Sequence, residues 1–68
     1  MKSTIQDVLR ELRKNKNITQ TQLANELHIS QRAYSHYENG TREPNIELLI
    51  DIANYYQISI DYLVGRYK

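Results

Sequence analysis

The sequence predicts an all-α fold, a compact five-helix bundle formed by a single domain of 68 residues. Apolar residues recur at three- and four-residue spacing, which is the periodicity of one face of a helix. A Ser, Thr or Asn that can cap a helix N-terminus stands before each apolar stripe. No segment alternates apolar and polar residues for long enough to favour a strand. Together these three observations predict a bundle of helices.

The first two helices have clear start signals. A hydroxyl cap, Ser3 or Thr4, precedes an apolar stripe at helical spacing. That stripe consists of Ile5, Val8, Leu9 and Leu12. After a polar turn, Thr19 and Gln22 have the spacing of a capping box, so the second helix begins at Gln20. Its buried side consists of Leu23, Ala24 and Leu27.

The third helix follows the second after a very short turn. Ser30 caps it, so it begins at Gln31, and Gly40 ends it in the left-handed conformation. A connection of about three residues favours a steep crossing of the two helices over antiparallel packing. That geometry is typical of a helix-turn-helix unit.

Two further helices complete the bundle. A loop from Thr41 to Pro44 leads to Asn45, which caps the fourth helix, and Ser59 caps a short fifth helix. The residues assigned to the inner face of the fourth helix are Ile46, Leu49, Ile52, Ala53 and Tyr56. Four apolar or aromatic residues fall outside the assigned stripes and are candidates for an interface, namely Leu48, Tyr55, Tyr62 and Tyr67.

Composition argues against several classes of protein. The chain has no cysteine, no signal peptide and no apolar run that could span a membrane, which favours a cytoplasmic protein. Two isolated histidines, His28 and His36, make a poor zinc site. Ser35 and His36 point about 100° apart on a helix, so they do not form a catalytic pair. We therefore expect no enzyme, no metal and no cofactor.

The third helix has two contrasting sides. With about 100° per residue, its inward side consists of Ala33, Tyr34 and Tyr37. Its outward side consists of Gln31, Arg32, Ser35, His36 and Asn39, with Glu38 at the edge. Gln can form two hydrogen bonds with adenine, and Arg can bind guanine. Ser and His are shorter side chains that can also contact base edges. An ordinary solvated face is the simpler alternative.

The position of this helix favours DNA over plain solvation. The preceding helix offers N-terminal amides to a phosphate, and the following loop contains Thr41 and Arg42. The overall charge is only +1, but residues 1–34 carry six cations against three acids, while residues 35–68 carry three against five. A major groove about 12 Å wide admits one helix. The third helix is the one that we expect to enter it.

The segments TQTQLANELHISQRAYSHYENGTREP and IELLIDIANYYQISIDYLVGR resemble the helix-turn-helix and following helices of the phage-repressor and Cro family. This is the xenobiotic-response-element type of bacterial regulator, and the resemblance implies a lambda-repressor-like fold that binds double-stranded DNA. The matching elements are Gln20, Leu23-Ala24, Ile29-Ser30, Tyr34, Tyr37, Glu38-Asn39-Gly40 and Pro44. The family often has Gly where this chain has His28 and Gln57, a departure that bears on the turn angle and not on the fold. The resemblance also implies a protein associated with a bacterial or phage nucleoid.

The resemblance also implies roles for individual residues. Base readers would be Gln31, Arg32, Ser35 and His36, and phosphate contacts would come from Gln20, Ser30, Asn39, Thr41 and Arg42. An ion pair between Arg13 and Glu38 would brace the third helix, which explains an acid next to DNA. We expect a two-fold dimer formed through the C-terminal helices, because it places two reading helices in successive major grooves. A module that binds a partner protein, as an antitoxin does, is the alternative function.

Overall fold

A computed structural model describes residues 4–64, which form five helices and no strand. The helices are α1 (Ile5–Lys16), α2 (Gln20–Glu26), α3 (Gln31–Asn39), α4 (Ile46–Tyr56) and α5 (Ile60–Leu63). The predicted all-α class and the predicted starts of α2 and α3 are confirmed. Four residues, 27–30, connect α2 to α3, one more than expected. Within residues 4–64, no helix is long and apolar enough to cross a membrane.

Every helix begins at a capping side chain. The five caps are Thr4, Thr19, Ser30, Asn45 and Ser59. Each accepts a hydrogen bond from a backbone amide three residues ahead, and Thr4 and Thr19 also form complete capping boxes. These bonds satisfy amides that have no partner inside the helix. The helix starts therefore depend on contacts within four residues, which is why the sequence predicts them.

The core takes one fully buried residue from each helix. These residues are Leu9 of α1, Leu23 of α2, Tyr34 of α3, Ile52 of α4 and Leu63 of α5. Helix α3 packs against both α1 and α2, while α5 packs against α1 and α4. The rear of α3 is therefore held by two helices, and its opposite side is left open.

Helix α4 corrects two of the predicted sides. Ile46, which we assigned to the inner face, is 59% exposed, whereas Leu48, which we assigned to an interface, is 8% exposed and belongs to the core. The first turn of α4 contains apolar residues at most of its positions, so helical periodicity alone does not identify its inner side. Leu48 is therefore wrong as an interface residue. Of the other three candidates, Tyr55 is half-buried, Tyr62 is 37% exposed, and Tyr67 lies outside the described residues.

Three helix ends use left-handed residues other than glycine. They are Asn17, His28 and Gln57, with φ of 60°, 61° and 58°. The two positions at which the family often has Gly thus adopt the conformation for which glycine is favoured. The helix ends keep their geometry, but each of these residues adopts a backbone conformation in which its β-carbon is crowded.

Replacing Gln57 by Gly should raise the free energy of unfolding by about 0.5–1 kcal/mol, because the left-handed strain is relieved. Gln57 is exposed, so little packing is lost. Urea denaturation measures the change. Asn54→Gly is the matched control, since Asn54 is exposed within the same helix, and this change should lower the free energy of unfolding by about 0.3 kcal/mol. If Gln57→Gly and Asn54→Gly shifted the free energy of unfolding in the same direction, the strain argument would be wrong.

Candidate nucleic-acid interface

The outward side of α3 is accessible, as the helical spacing predicts. Tyr34 is fully buried, and Ala33 and Tyr37 are partly buried behind it. Exposed side chains on the outward side are Gln31, Arg32 and Asn39, while Ser35 and His36 are partly buried. The described part of the chain thus presents a row of polar groups along one side of a well-anchored helix.

A chain of amide hydrogen bonds connects α2 to the start of α3. The Nε2 of Gln20 donates to Oε1 of Glu38 at 3.0 Å, and the Nε2 of Gln31 donates to Oε1 of Gln20 at 2.7 Å. Each amide nitrogen has two hydrogens, so each glutamine keeps one for another acceptor. The Oε1 of Gln31 also remains available. Gln31 therefore retains the donor and acceptor that a bidentate contact with adenine needs.

Glu38 is buried, which corrects its predicted place at the edge of the outward side. Its side chain is 2% exposed and that of Arg13 is 17% exposed. The Nε of Arg13 donates to Oε2 at 2.6 Å and its Nη2 donates to Oε1 at 3.2 Å, which confirms the predicted ion pair. Helix α1 covers this flank of α3, and it accounts for the burial.

The pKa of Glu38 lies below its usual value. Burial alone would raise this pKa, but hydrogen bonds from Arg13 and Gln20 to the carboxylate favour the charged form and outweigh burial. The same pair raises the pKa of Arg13. The pKa of Tyr34 is raised by burial and then by the adjacent negative charge of Glu38, which keeps its hydroxyl neutral. The rear of α3 therefore has a fixed charge state at neutral pH.

A second arginine, Arg10, holds α3 and was not among the predicted site residues. The Nη1 of Arg10 donates to the backbone oxygen of Glu38 at 2.8 Å, and its Nη2 bonds Asp7 at 2.6 Å. Arg10 precedes Arg13 by three residues, so both lie on the same side of α1. That spacing was the available signal. Two guanidinium groups from α1 thus bind the last turn of α3. Arg13 binds the carboxylate of Glu38, and Arg10 binds its backbone oxygen.

The predicted phosphate-binding residues surround the ends of α3. Ser30 uses an oxygen lone pair to cap the helix, so its hydroxyl hydrogen stays available to a phosphate oxygen. Asn39 donates weakly to Ser35 at 3.3 Å and keeps its second amide hydrogen. Arg42 is exposed in the loop after Gly40. A groove of about 280 Å³ lies along α3 between its two ends. It is lined by Ser30, Arg32, Ala33, His36 and Arg42.

Thr41 differs from the other predicted phosphate contacts because its hydroxyl is engaged within the protein. Its Oγ1 lies 2.9 Å from Nδ1 of His36 and 3.3 Å from the backbone oxygen of His36. Gly40, with φ of 82°, turns the chain so that Thr41 folds back onto the last turn of α3. The loop thereby orients the imidazole ring of His36.

Comparison with known proteins identifies the family of this fold. A family model described as helix-turn-helix matches residues 9–63. An uncharacterised helix-turn-helix transcriptional regulator of Bacillus subtilis, YqaE, is 45% identical over 82% of this chain and 48% of its own length. The cryptic phage CTXphi transcriptional repressor RstR of Vibrio cholerae is 44% identical over 93% of this chain and 56% of its own length. The chain spans about half the length of these relatives.

A solved structure matches almost end to end. The P22 c2 repressor, crystallised in complex with a synthetic operator, has a TM-score of 0.87 and 31% identity, and the match covers 96% of this chain and 98% of the solved chain. The family model, the relatives and the structural match agree with the capped α2–turn–α3 geometry described above. This chain belongs to the helix-turn-helix family.

Proposed function

We propose that the chain is a single DNA-binding domain, residues 1–68, that regulates transcription by binding a specific sequence of double-stranded DNA, most simply as a repressor. The open polar side of α3 carries this proposal, because its hydrogen-bonding groups are held at the surface while its tyrosines anchor it from behind. The similar P22 repressor was crystallised with an operator. The protein would act in the cytoplasm, where the chromosome lies.

Base reading is assigned to four residues of α3. They are Gln31, Arg32, Ser35 and His36. Gln31 is held by Gln20 yet keeps one donor and one acceptor, which fits adenine, and the exposed Arg32 has only donors, which fits guanine. The helix therefore offers different hydrogen-bonding classes to successive bases, as sequence-specific reading requires.

Phosphate binding is assigned to groups at both ends of α3. Gln20 and Ser30 each keep a free hydrogen at the N-terminal side, and Asn39 and Arg42 do so at the other. Phosphate oxygens only accept hydrogen bonds, so a donor without another partner is what such a contact needs. Thr41 belongs to the same predicted set, but its backbone and hydroxyl groups already bond His36.

A two-fold dimer through α4 completes the proposal. Ile46 and Ile50 lie one turn apart, 59% and 42% exposed, and follow the loop that contains Arg42. They replace Leu48 as the centre of the expected interface. The protomer extends 31 Å along its longest axis, the same scale as the spacing of about 34 Å between successive major grooves that a two-fold pair would have to match.

Titration of a random duplex at rising salt tests the proposal. Affinity should fall steeply, because each neutralised phosphate adds about 0.9 to the slope of log affinity against log salt. Arg42→Ala should reduce that slope by about 0.9 per protomer and weaken all sequences alike. Arg32→Ala is the matched comparison and should relax base preference at one position. A flat salt response would instead support a module that binds a partner protein.

A further inference from the structure

The contact between His36 and Thr41 determines which nitrogen of the imidazole carries the hydrogen. Thr41 has one hydroxyl hydrogen, and two acceptors lie within reach of it, the backbone oxygen and Nδ1 of His36. If the hydroxyl donates to the backbone oxygen, Nδ1–H can donate to Oγ1, and both contacts are hydrogen bonds. If the hydroxyl donates to Nδ1, the contact with the backbone oxygen has no hydrogen. The first arrangement forms two hydrogen bonds among these groups, whereas the second forms one.

The other ring nitrogen faces away from this contact. Nε2 of His36 has no hydrogen-bond partner among residues 4–64, and it is not a buried atom. The ring lines the groove that it shares with Arg32 and Arg42. With the hydrogen on Nδ1, Nε2 of the neutral ring presents a lone pair to a ligand that enters this groove.

We propose that His36 reads an exocyclic amino group, N4 of cytosine or N6 of adenine, through the Nε2 lone pair that Thr41 enforces. In the major groove only cytosine and adenine offer such a donor, whereas guanine and thymine offer acceptors at the equivalent edge. Arg32 has only hydrogen-bond donors, so it selects the bases that offer acceptors, guanine and thymine. The inference rests on the proposed function and adds the class of base that one residue selects.

Thr41 is then a positioning residue and not a phosphate contact. Its only hydroxyl hydrogen is used on the backbone oxygen of His36, and its backbone amide donates to the same oxygen at 3.1 Å. A phosphate oxygen cannot supply a hydrogen in exchange. Giving that hydrogen to a phosphate oxygen would break the bond from Oγ1 to the backbone oxygen, which holds the hydroxyl in place for Nδ1–H.

The tautomer is measured without DNA. At about pH 8, nitrogen-15 NMR of the ring should show Nδ1–H for His36 in the wild-type protein. His28, exposed on the α2–α3 turn, provides an internal reference, and a His28→Asn variant assigns the two signals. Thr41→Val should lose the Nδ1–H preference at His36 and Thr41→Ser should keep it. An Nε2–H ring in the wild type would overturn the inference.

The base preference is measured by selecting bound sequences from a random duplex pool. The wild type and Thr41→Ser should prefer cytosine or adenine at one position of each half-site, and Thr41→Val should lose the preference at that position only. A duplex whose contacted base lacks the exocyclic amino group should bind about 3- to 10-fold more weakly to the wild type and equally to Thr41→Val.

The outcomes separate the inference from the proposed function. Sequence-selective binding with an unchanged preference in Thr41→Val would overturn the reading role alone. Uniform weakening across all sequences in Thr41→Val would show that the hydroxyl serves a phosphate, which also overturns it. Failure of the wild type to bind any duplex would overturn the proposed function, and the reading role with it, while the NMR result still stands.

Discussion

Glu38→Gln is expected to lower the free energy of unfolding by about 3 kcal/mol, equivalent to a fall in Tm of about 15 °C for a domain of this size. The carboxylate accepts from Arg13 through both oxygens and from Gln20 through one. An amide replaces one oxygen by a donor that faces these donors. The change also leaves the charge of Arg13 without its partner inside the protein. Thermal and urea denaturation measure the loss.

Two further variants separate the pair from a general charge effect. Glu11→Gln removes an exposed carboxylate from α1 and should change the free energy of unfolding by less than about 0.5 kcal/mol. The double variant Arg13→Met with Glu38→Leu removes both charges and should recover much of the loss, since apolar replacements of a buried pair are often near neutral. Equal Tm values for wild type and Glu38→Gln would contradict the role of the pair.

The same pair predicts how stability depends on pH. The pKa of Glu38 is lower in the folded chain than in the unfolded chain, where it is near the ordinary value of 4.5. The folded state therefore binds its proton less readily, so the contribution of Glu38 is fully present above the unfolded pKa and is lost as pH falls through the folded value. Glu38→Gln should lack this part of the acid destabilisation. If the stability of wild type and of Glu38→Gln fell in parallel below pH 4.5, Glu38 would not contribute to the acid destabilisation.

Ile46→Asp is expected to abolish the proposed dimer and to weaken binding to a selected two-fold operator by about 100-fold or more, because each half-site is then bound independently. Ile46 is 59% exposed, so the change should leave the Tm of the monomer almost unchanged. Sedimentation equilibrium measures the association, and a duplex titration measures the affinity.

Gln57→Asp is the charge-matched control for the dimer. It adds the same negative charge at the opposite end of α4, at an exposed position. We expect no change in association and at most a few-fold change in affinity. An Ile46→Asp protein that still dimerises and binds the operator as wild type does would place the interface elsewhere.

Local interactions explain why the helix boundaries were predictable. Thr19 with Gln22, and Ser30 with Ala33, are bonded within three residues, so the sequence alone contains both partners. The same holds for Gly40, whose left-handed φ ends α3. The polar side of α3 was also predictable, because helical spacing fixes the relative directions of its residues once the helix starts at a known position.

Contacts between distant segments were harder to predict. Spacing placed Glu38 at the edge of the polar side, and only the packing of α1 against α3 buries it. Ile46 is exposed and Leu48 is buried, although both are apolar and only two residues apart. The difference depends on which neighbours cover α4. Arg10 reaches a backbone oxygen 28 residues away, and a backbone oxygen has no sequence signature.

The sequence by itself determined where the helices begin, the bundle they predict and the polar groups that α3 carries, because caps and helical periodicity act within about four residues. The tertiary structure decided which flank of α3 is covered by α1, which isoleucines of α4 stay at the surface, and how Thr41 turns the ring of His36. These features depend on the packing of helices and on the path of a loop in space. Burial is a property of the assembled chain and not of any one segment.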